Sequence, residues 1–147
     1  MTGPLVLLSE RLGAITDDER RVEAEGGRVA SVPLWTEADI AANGGEASLI
    51  IAGAVEPFNA AALARLPGLR AVVRRGVGFD NVDVDAATEL GIVVANVPDA
   101  SVEEVSDHAL AMLLSLERRL GDIDHGVRDG RWAADAAALQ ATRTRSR

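Results

Sequence analysis

Five short apolar runs recur along the first two thirds of the chain: Leu5–Ser9, Arg28–Val32, Ala47–Ala52, Leu69–Arg74 and Ile92–Ala95. Each is rich in Val, Leu, Ile or Ala and bounded by turn residues, which predicts buried strands. Between them lie stretches with helix punctuation. Thr16 or Asp17 can open a helix to about Ala24, closed by Gly26-Gly27; Thr36 can open Glu37–Ala42, closed by Asn43-Gly44-Gly45; Asn59–Leu66 runs up to Pro67. Asp83 can cap Val84–Leu90, and Gly91 sits where a helix end favours a left-handed residue. Regular alternation of strand and helix predicts an α/β fold, a five-stranded parallel sheet with helices on both faces. Right-handed crossovers then leave few topologies.

The strongest helical pattern comes last. Ser101-Val102-Glu103-Glu104 reads as a capping box. It would open a helix over Val102–Leu120, closed by Gly121 and roughly 28 Å long at 1.5 Å per residue. Val102, Val105, Ala109, Met112, Leu113, Leu116 and Leu120 fall on one side at helical spacing, and Leu110 and Leu114 widen the stripe to a second. Acids at its start and Arg118 and Arg119 at its end suit the helix dipole. Such a helix needs two bodies to pack against. One side is expected to lie on the sheet, and the other to remain exposed and to drive self-association through Val102–Leu120.

Composition narrows the function classes. The 147 residues carry a net charge of −8, which argues against nucleic acid and anionic membranes as partners. Hydrophobic residues make up 48% and aromatics only 3%, so the core is aliphatic. No cysteine is present, so disulfides, thiol chemistry and cysteine-bound metals are excluded. The N-terminus lacks a basic segment before a long apolar run, and no stretch approaches membrane-spanning length. These features give the expectation of a cytoplasmic protein.

Candidate chemistry concentrates after the fourth strand. Gly76-Val77-Gly78 follows it, as a dinucleotide loop would. The third glycine of that fingerprint would fall at Asn81, and the acidic ribose partner near Asn96, so the fingerprint fails. Two readings remain: the glycines make a turn, or they aim backbone N–H groups at an anion. Arg74 lies at the carboxyl end of the strand, where ligands bind in open α/β sheets, and a guanidinium there can pair with a carboxylate; it can equally be a solvated arginine, as Arg75 is expected to be. By residue type alone, Asn96 is a turn residue, Ser101 a helix cap and Val105 helix core. His108 has no partner within reach by sequence, since Asp107 projects about 100° away. His125 sits in a polar segment, and nothing has metal-ligand spacing.

The run Arg74–Asp83 (RRGVGFDNVD), with Gly91-Ile92, Asn96-Val97-Pro98, Ser101–Glu104 and Asp107-His108, resembles the D-isomer-specific 2-hydroxyacid dehydrogenases, most of all their C-terminal-binding-protein and phosphoglycerate-dehydrogenase branches. The resemblance is dense over Leu69–Leu120 and a matter of pattern from Leu5 to Pro67. It implies a flavodoxin-like substrate domain with strand order 2-1-3-4-5 over residues 1–120. Residues 121–147 would be a truncated linker into a missing Rossmann cofactor domain, with Val102–Leu120 as the interdomain helix.

The resemblance also implies site roles. The amides of Val77 and Gly78 and the guanidinium of Arg74 hold the substrate carboxylate, Asn96 and Ser101 flank the same mouth, and Val105 lines the nicotinamide. The family's catalytic histidine, arginine and glutamate lie later, in the cofactor domain, so no catalytic residue is assigned here and His108 falls near the hinge. NAD(H) is implied as cofactor, without binding to this chain alone. Two departures stand out. Ile51-Ala52-Gly53-Ala54 replaces the Ser-Arg pair usual in phosphoglycerate dehydrogenases. After Gly126–Trp132 the chain reads AADAAALQATRTRSR instead of a strand and dinucleotide loop. The implied function is the substrate-binding part of an NAD-dependent dehydrogenase of small 2-hydroxy or 2-keto acids, inactive alone. The alternative is a non-enzymatic keto-acid-binding or protein-interaction module, or a decayed gene fragment.

Overall fold

A computed structural model describes residues 3–13, 16–131, 133 and 137. Most of the expected linker beyond Arg131 lies outside the described residues. The chain divides into two compact units, Met1–Ala100 and Ser101–Arg147.

The first unit is built on five strands: β1 (Leu5–Ser9), β2 (Arg28–Val32), β3 (Ala47–Ala52), β4 (Ala71–Arg74) and β5 (Val93–Asn96). All pair in parallel, in the order β2-β1-β3-β4-β5. Four helices connect them: α1 (Thr16–Ala24), α2 (Glu37–Asn43), α3 (Ala60–Leu63) and α4 (Val84–Glu89). A parallel sheet must bury its faces under such crossovers, and the apolar runs do so. Leu7, Ile50 and Val72 alternate onto one face and join Leu34, Ile40, Phe58, Leu63, Leu66, Ala87 and Ile92 in a single core. Each large apolar side chain there contributes roughly 1.5–3 kcal/mol. Val6 and Leu8 point to the opposite face and are also buried. That face opens toward the β5 edge, where Val93 is 63% exposed.

Of the predicted N-caps, those at Thr36 and Asp83 form, whereas Thr16 and Asp17 lie inside α1 rather than before it. The Thr36 hydroxyl accepts from the Asp39 N–H at 3.1 Å, and the Asp39 carboxylate accepts in return from the Thr36 N–H at 3.0 Å. Asp83 accepts from the Ala86 N–H at 3.0 Å, and Gly91 takes φ +72° after α4. Asn59 caps α3, but that helix is shorter than the predicted Asn59–Leu66. Arg65 and Leu66 donate only three residues back, to Ala62 and Leu63, because Pro67 disfavours the helical conformation at the residue before it. The strand predicted over Leu69–Arg74 starts at Ala71, since Leu69 donates to Leu66 in the preceding turn. The strand predicted over Ile92–Ala95 runs one residue later, because the Ile92 N–H closes onto Ala87.

The second unit corrects the long-helix reading. The helix over Val102–Leu120 is two helices, α5 (Val102–Glu117) and α6 (Leu120–Arg128). The break is at Arg119, the one described non-glycine residue with positive φ, at +50°. Its guanidinium is tied to Asp122 at 2.7 Å, in the first turn of α6. That bond offsets part of the roughly 1–2 kcal/mol cost of a left-handed non-glycine residue. Gly121 therefore lies inside α6 and terminates nothing. The capping box at Ser101 does not form either. Ser101 stands at φ −148°, ψ 26°, outside the extended region from which a side chain reaches the N3 amide, and it makes no cap bond. No residue of α5 is buried. Leu113 is 61% and Leu116 74% exposed.

Candidate functional site

The carboxyl ends of β4 and β5 carry the polar residues that the apolar pattern leaves unexplained. Arg74 ends β4, in register with Ala52 of β3 on one side and Asn96 of β5 on the other. The chain then turns sharply. The Arg75 N–H donates to the Ala52 carbonyl at 2.8 Å, and the Gly76 N–H to the Arg74 carbonyl at 2.9 Å. Gly76 has φ +151°, and a Cβ there would stand 1.6 Å from Arg74 Nη1. The guanidinium thus lies directly against the glycine, in space only glycine leaves. Its Nε is buried and has no hydrogen-bond partner. Burying such a donor unpaired costs about 1–3 kcal/mol, while the two Nη groups are left as the guanidinium's reachable donors.

The loop is fixed from the β5 side through its carbonyls. Val97 N–H donates to Gly76 C=O at 3.0 Å, and Asn96 Nδ2 to Val77 C=O at 2.7 Å. The N–H groups of Val77 and Gly78 donate to no described residue. Carbonyls held and amides free is the arrangement an anion requires of backbone. One charge opposes it: the Asp80 carboxylate lies near Gly78, where an added Cβ would be 3.0 Å from Oδ1.

The far end of the loop is zipped to the segment after β3. Phe58 and Val82 form a parallel bridge, with Phe58 N–H on Asn81 C=O at 3.0 Å and Asp83 N–H on Phe58 C=O at 2.9 Å. Asn81 Nδ2 donates to Glu56 C=O at 2.9 Å. These two segments line an open cavity of about 620 Å³, and a smaller one of about 150 Å³ lies between Phe79, Val84 and Val94–Asn96.

The first unit therefore brings together Arg74, Val77, Gly78 and Asn96. Ser101 and Val105 belong to the second unit, where both are exposed on or beside α5, as is His108. Arg75 is exposed, with a long contact of 3.4 Å from Nη1 to the Leu12 carbonyl. Two residues carry weight that their types did not signal. Glu56 is wholly buried, and Asn81, noted above only as a missing third glycine, is the link between the two loops. Among the described residues no cluster of His, Cys, Asp or Glu could hold a metal ion. No helix there is long and apolar enough to cross a membrane.

Residues 6–145 match the family described as D-isomer specific 2-hydroxyacid dehydrogenase, catalytic domain. The chain belongs to this family. A D-3-phosphoglycerate dehydrogenase of Mycobacterium bovis is 35% identical over 136 residues, which is 90% of this chain and 24% of the relative. A glyoxylate reductase of Aeropyrum pernix is 44% identical over 70 residues, 48% of this chain and 21% of the relative. The chain thus spans about a quarter of the length of the curated relatives it matches. Among solved structures, the D-mandelate dehydrogenase of Rhodotorula graminis superposes with TM-score 0.76 at 26% identity, covering 96% of this chain and 45% of that one. An Aquifex aeolicus D-lactate dehydrogenase, solved with NAD and lactic acid, gives TM-score 0.67 at 26% identity, with 86% of this chain and 38% of that one covered.

The family's nicotinamide dinucleotide does not fit the glycine loop found here. A pyrophosphate needs free N–H groups at a helix N-terminus. The helix after this loop, α4, has six residues, and the carboxylate of Asp83 already occupies its start. Asn81, in place of the third glycine, has its side chain committed to Glu56 C=O.

Proposed function

We propose that this chain is the substrate-anchoring part of a dehydrogenase of small 2-hydroxy or 2-keto acids. The observation that carries the reading is the Arg74 guanidinium set against Gly76, at the start of a loop whose Val77 and Gly78 amides have no acceptor. A carboxylate supplies what is missing. One oxygen accepts from the guanidinium as a charge-assisted hydrogen bond, and the other from the N–H groups of Val77 and Gly78. Asn96 keeps those amides free by holding the Val77 carbonyl away. The role of this chain is binding and orientation, with C2 of the acid directed outward from the carboxyl end of the sheet.

Hydride transfer also needs a bound nicotinamide and an acid–base group, and Arg74, Val77, Gly78 and Asn96 offer no side chain suited to either role. The chain alone is therefore expected to bind the acid without oxidising or reducing it, and to lack measurable affinity for NAD(H). The test is titration of the full chain, 15N-labelled, with sodium pyruvate or glyoxylate. The Val77 and Gly78 amide resonances should shift, and Arg74→Ala should abolish the effect. Shifts that avoid both amides, or that survive Arg74→Ala, overturn the reading. Turnover above background in a nicotinamide absorbance assay, lost with Arg74→Ala, would overturn the inactivity.

A second reading, a protein-interaction module, is favoured by α5, which has apolar residues around much of its girth and none buried. Unchanged Val77 and Gly78 resonances across the keto-acid titration, in a chain that self-associates, would favour it.

A further inference from the structure

Glu56 is the one wholly buried acid among the described residues, and no cation pairs with it there. Its carboxylate turns inward from the loop after β3. Ser9 Oγ, at the end of β1, donates to Oε1, and the Val55 N–H donates to Oε2 at 3.2 Å. Ser9 is itself fully buried. Gly53 makes room: a Cβ there would stand 3.2 and 3.3 Å from the two carboxylate oxygens. A buried carboxylate without a cation is costly, so its retention calls for a reason.

The bonds lead from this carboxylate to the anion cradle. The side chain fixes residues 53–56 onto the end of β1. The Glu56 carbonyl then accepts from Asn81 Nδ2 at 2.9 Å, and the Gly53 carbonyl from the same group at 3.4 Å. The Asn81 carbonyl accepts from Phe58 N–H, and Phe58 C=O from Asp83 N–H. Asn81 lies three residues beyond Gly78. The loop thus has two anchors, Asn96 of β5 on one side and the Glu56 segment on the other.

We propose that Glu56 is a positioning residue for the carboxylate cradle. Latched to Ser9, it holds the loop after β3 as the wall to which Asn81 fixes the far end of Gly76–Gly78. This rests on the substrate reading of the cradle, and the test separates the two.

The first measurement uses the full 15N-labelled chain without ligand. Glu56→Ala should displace the Val77 and Gly78 amide resonances and speed hydrogen exchange at Phe58 and Asp83 about tenfold or more, while Arg28 N–H, bonded to Pro4 far from the latch, keeps its rate. Ser9→Ala should act in the same direction, and it carries the test if Glu56→Ala fails to fold. Glu56→Gln keeps the latch, its amide oxygen accepting from the Val55 N–H and its amide N–H donating to the Ser9 hydroxyl, and should restore both readouts. Unmoved Val77 and Gly78 resonances, equal acceleration at Arg28, or a glutamine variant that behaves like alanine each overturn the proposal.

The second measurement adds sodium pyruvate. Glu56→Ala and Asn81→Ala should each raise Kd roughly tenfold, the loss of about one hydrogen bond. The double variant should be no worse than either, since both act through one link; independent, multiplying effects overturn the proposal. If the wild type binds no pyruvate while the ligand-free shifts appear, the substrate reading fails and the positioning role stands.

Discussion

The guanidinium of Arg74 occupies the space a side chain at Gly76 would take, with Nη1 1.6 Å from the position of an added Cβ. Arginine and glycine here form one device, since the glycine admits the cation and its φ of +151° aims the next amides. Gly76→Ala should expel the guanidinium and strain the turn, at a cost of about 1–3 kcal/mol in urea unfolding. Keto-acid binding should fall as far as in Arg74→Ala. In the double variant the clash disappears, so its loss of stability should be smaller than the sum of the single losses. Additive losses would mean that the two residues do not share that space.

Asn96 should matter through its donor. Asn96→Ala removes the 2.7 Å bond to the Val77 carbonyl and should cost about 1 kcal/mol. Asn96→Asp is isosteric but sets a carboxylate against that carbonyl and beside the bound anion. It should weaken pyruvate binding more than alanine does. Equal effects in an isothermal titration would count against the clamp.

Asp80 works against the cradle. Removing its charge with Asp80→Asn should tighten pyruvate binding by about two- to threefold at low salt, since its carboxylate is exposed and screened. The gain should vanish near 1 M salt, where the Debye length is about 3 Å. A gain that survives high salt would indicate a steric cause.

The exposed apolar surface of α5 predicts association. Leu110 is 54% and Leu114 51% exposed, and each leucine left in water forgoes roughly 1.5–3 kcal/mol. Leu110→Glu with Leu114→Glu should shift the chain toward monomer in light scattering while leaving its circular dichroism intact. A wild-type chain that is already monomeric, or a double variant that unfolds, would refute this.

The sequence by itself determined the five strands and the caps at Thr36 and Asp83, and its family resemblance the strand order. Strand period and turn chemistry are local: Leu5–Ser9 or Ala47–Ala52 needs only its own apolar run and flanking breakers, and Asp83 needs only the amide three residues on. The motif-dense run from Arg74 likewise marked the family. Local reading failed where one backbone angle outweighed a pattern. The apolar stripe through Val102–Leu120 is continuous, yet the left-handed Arg119, tied to Asp122, splits it. The Ser101 box is correct in letters, but φ and ψ at Ser101 place its hydroxyl out of reach of the N3 amide. Tertiary structure alone decided the rest. Glu56 lies 47 residues from Ser9, and nothing in either neighbourhood announces the other. The contact of the Arg74 guanidinium with Gly76 exists only because the loop turns back on the end of β4. Burial and pairing across the sheet are properties of contacts distant in sequence, and periodicity along the chain does not encode them.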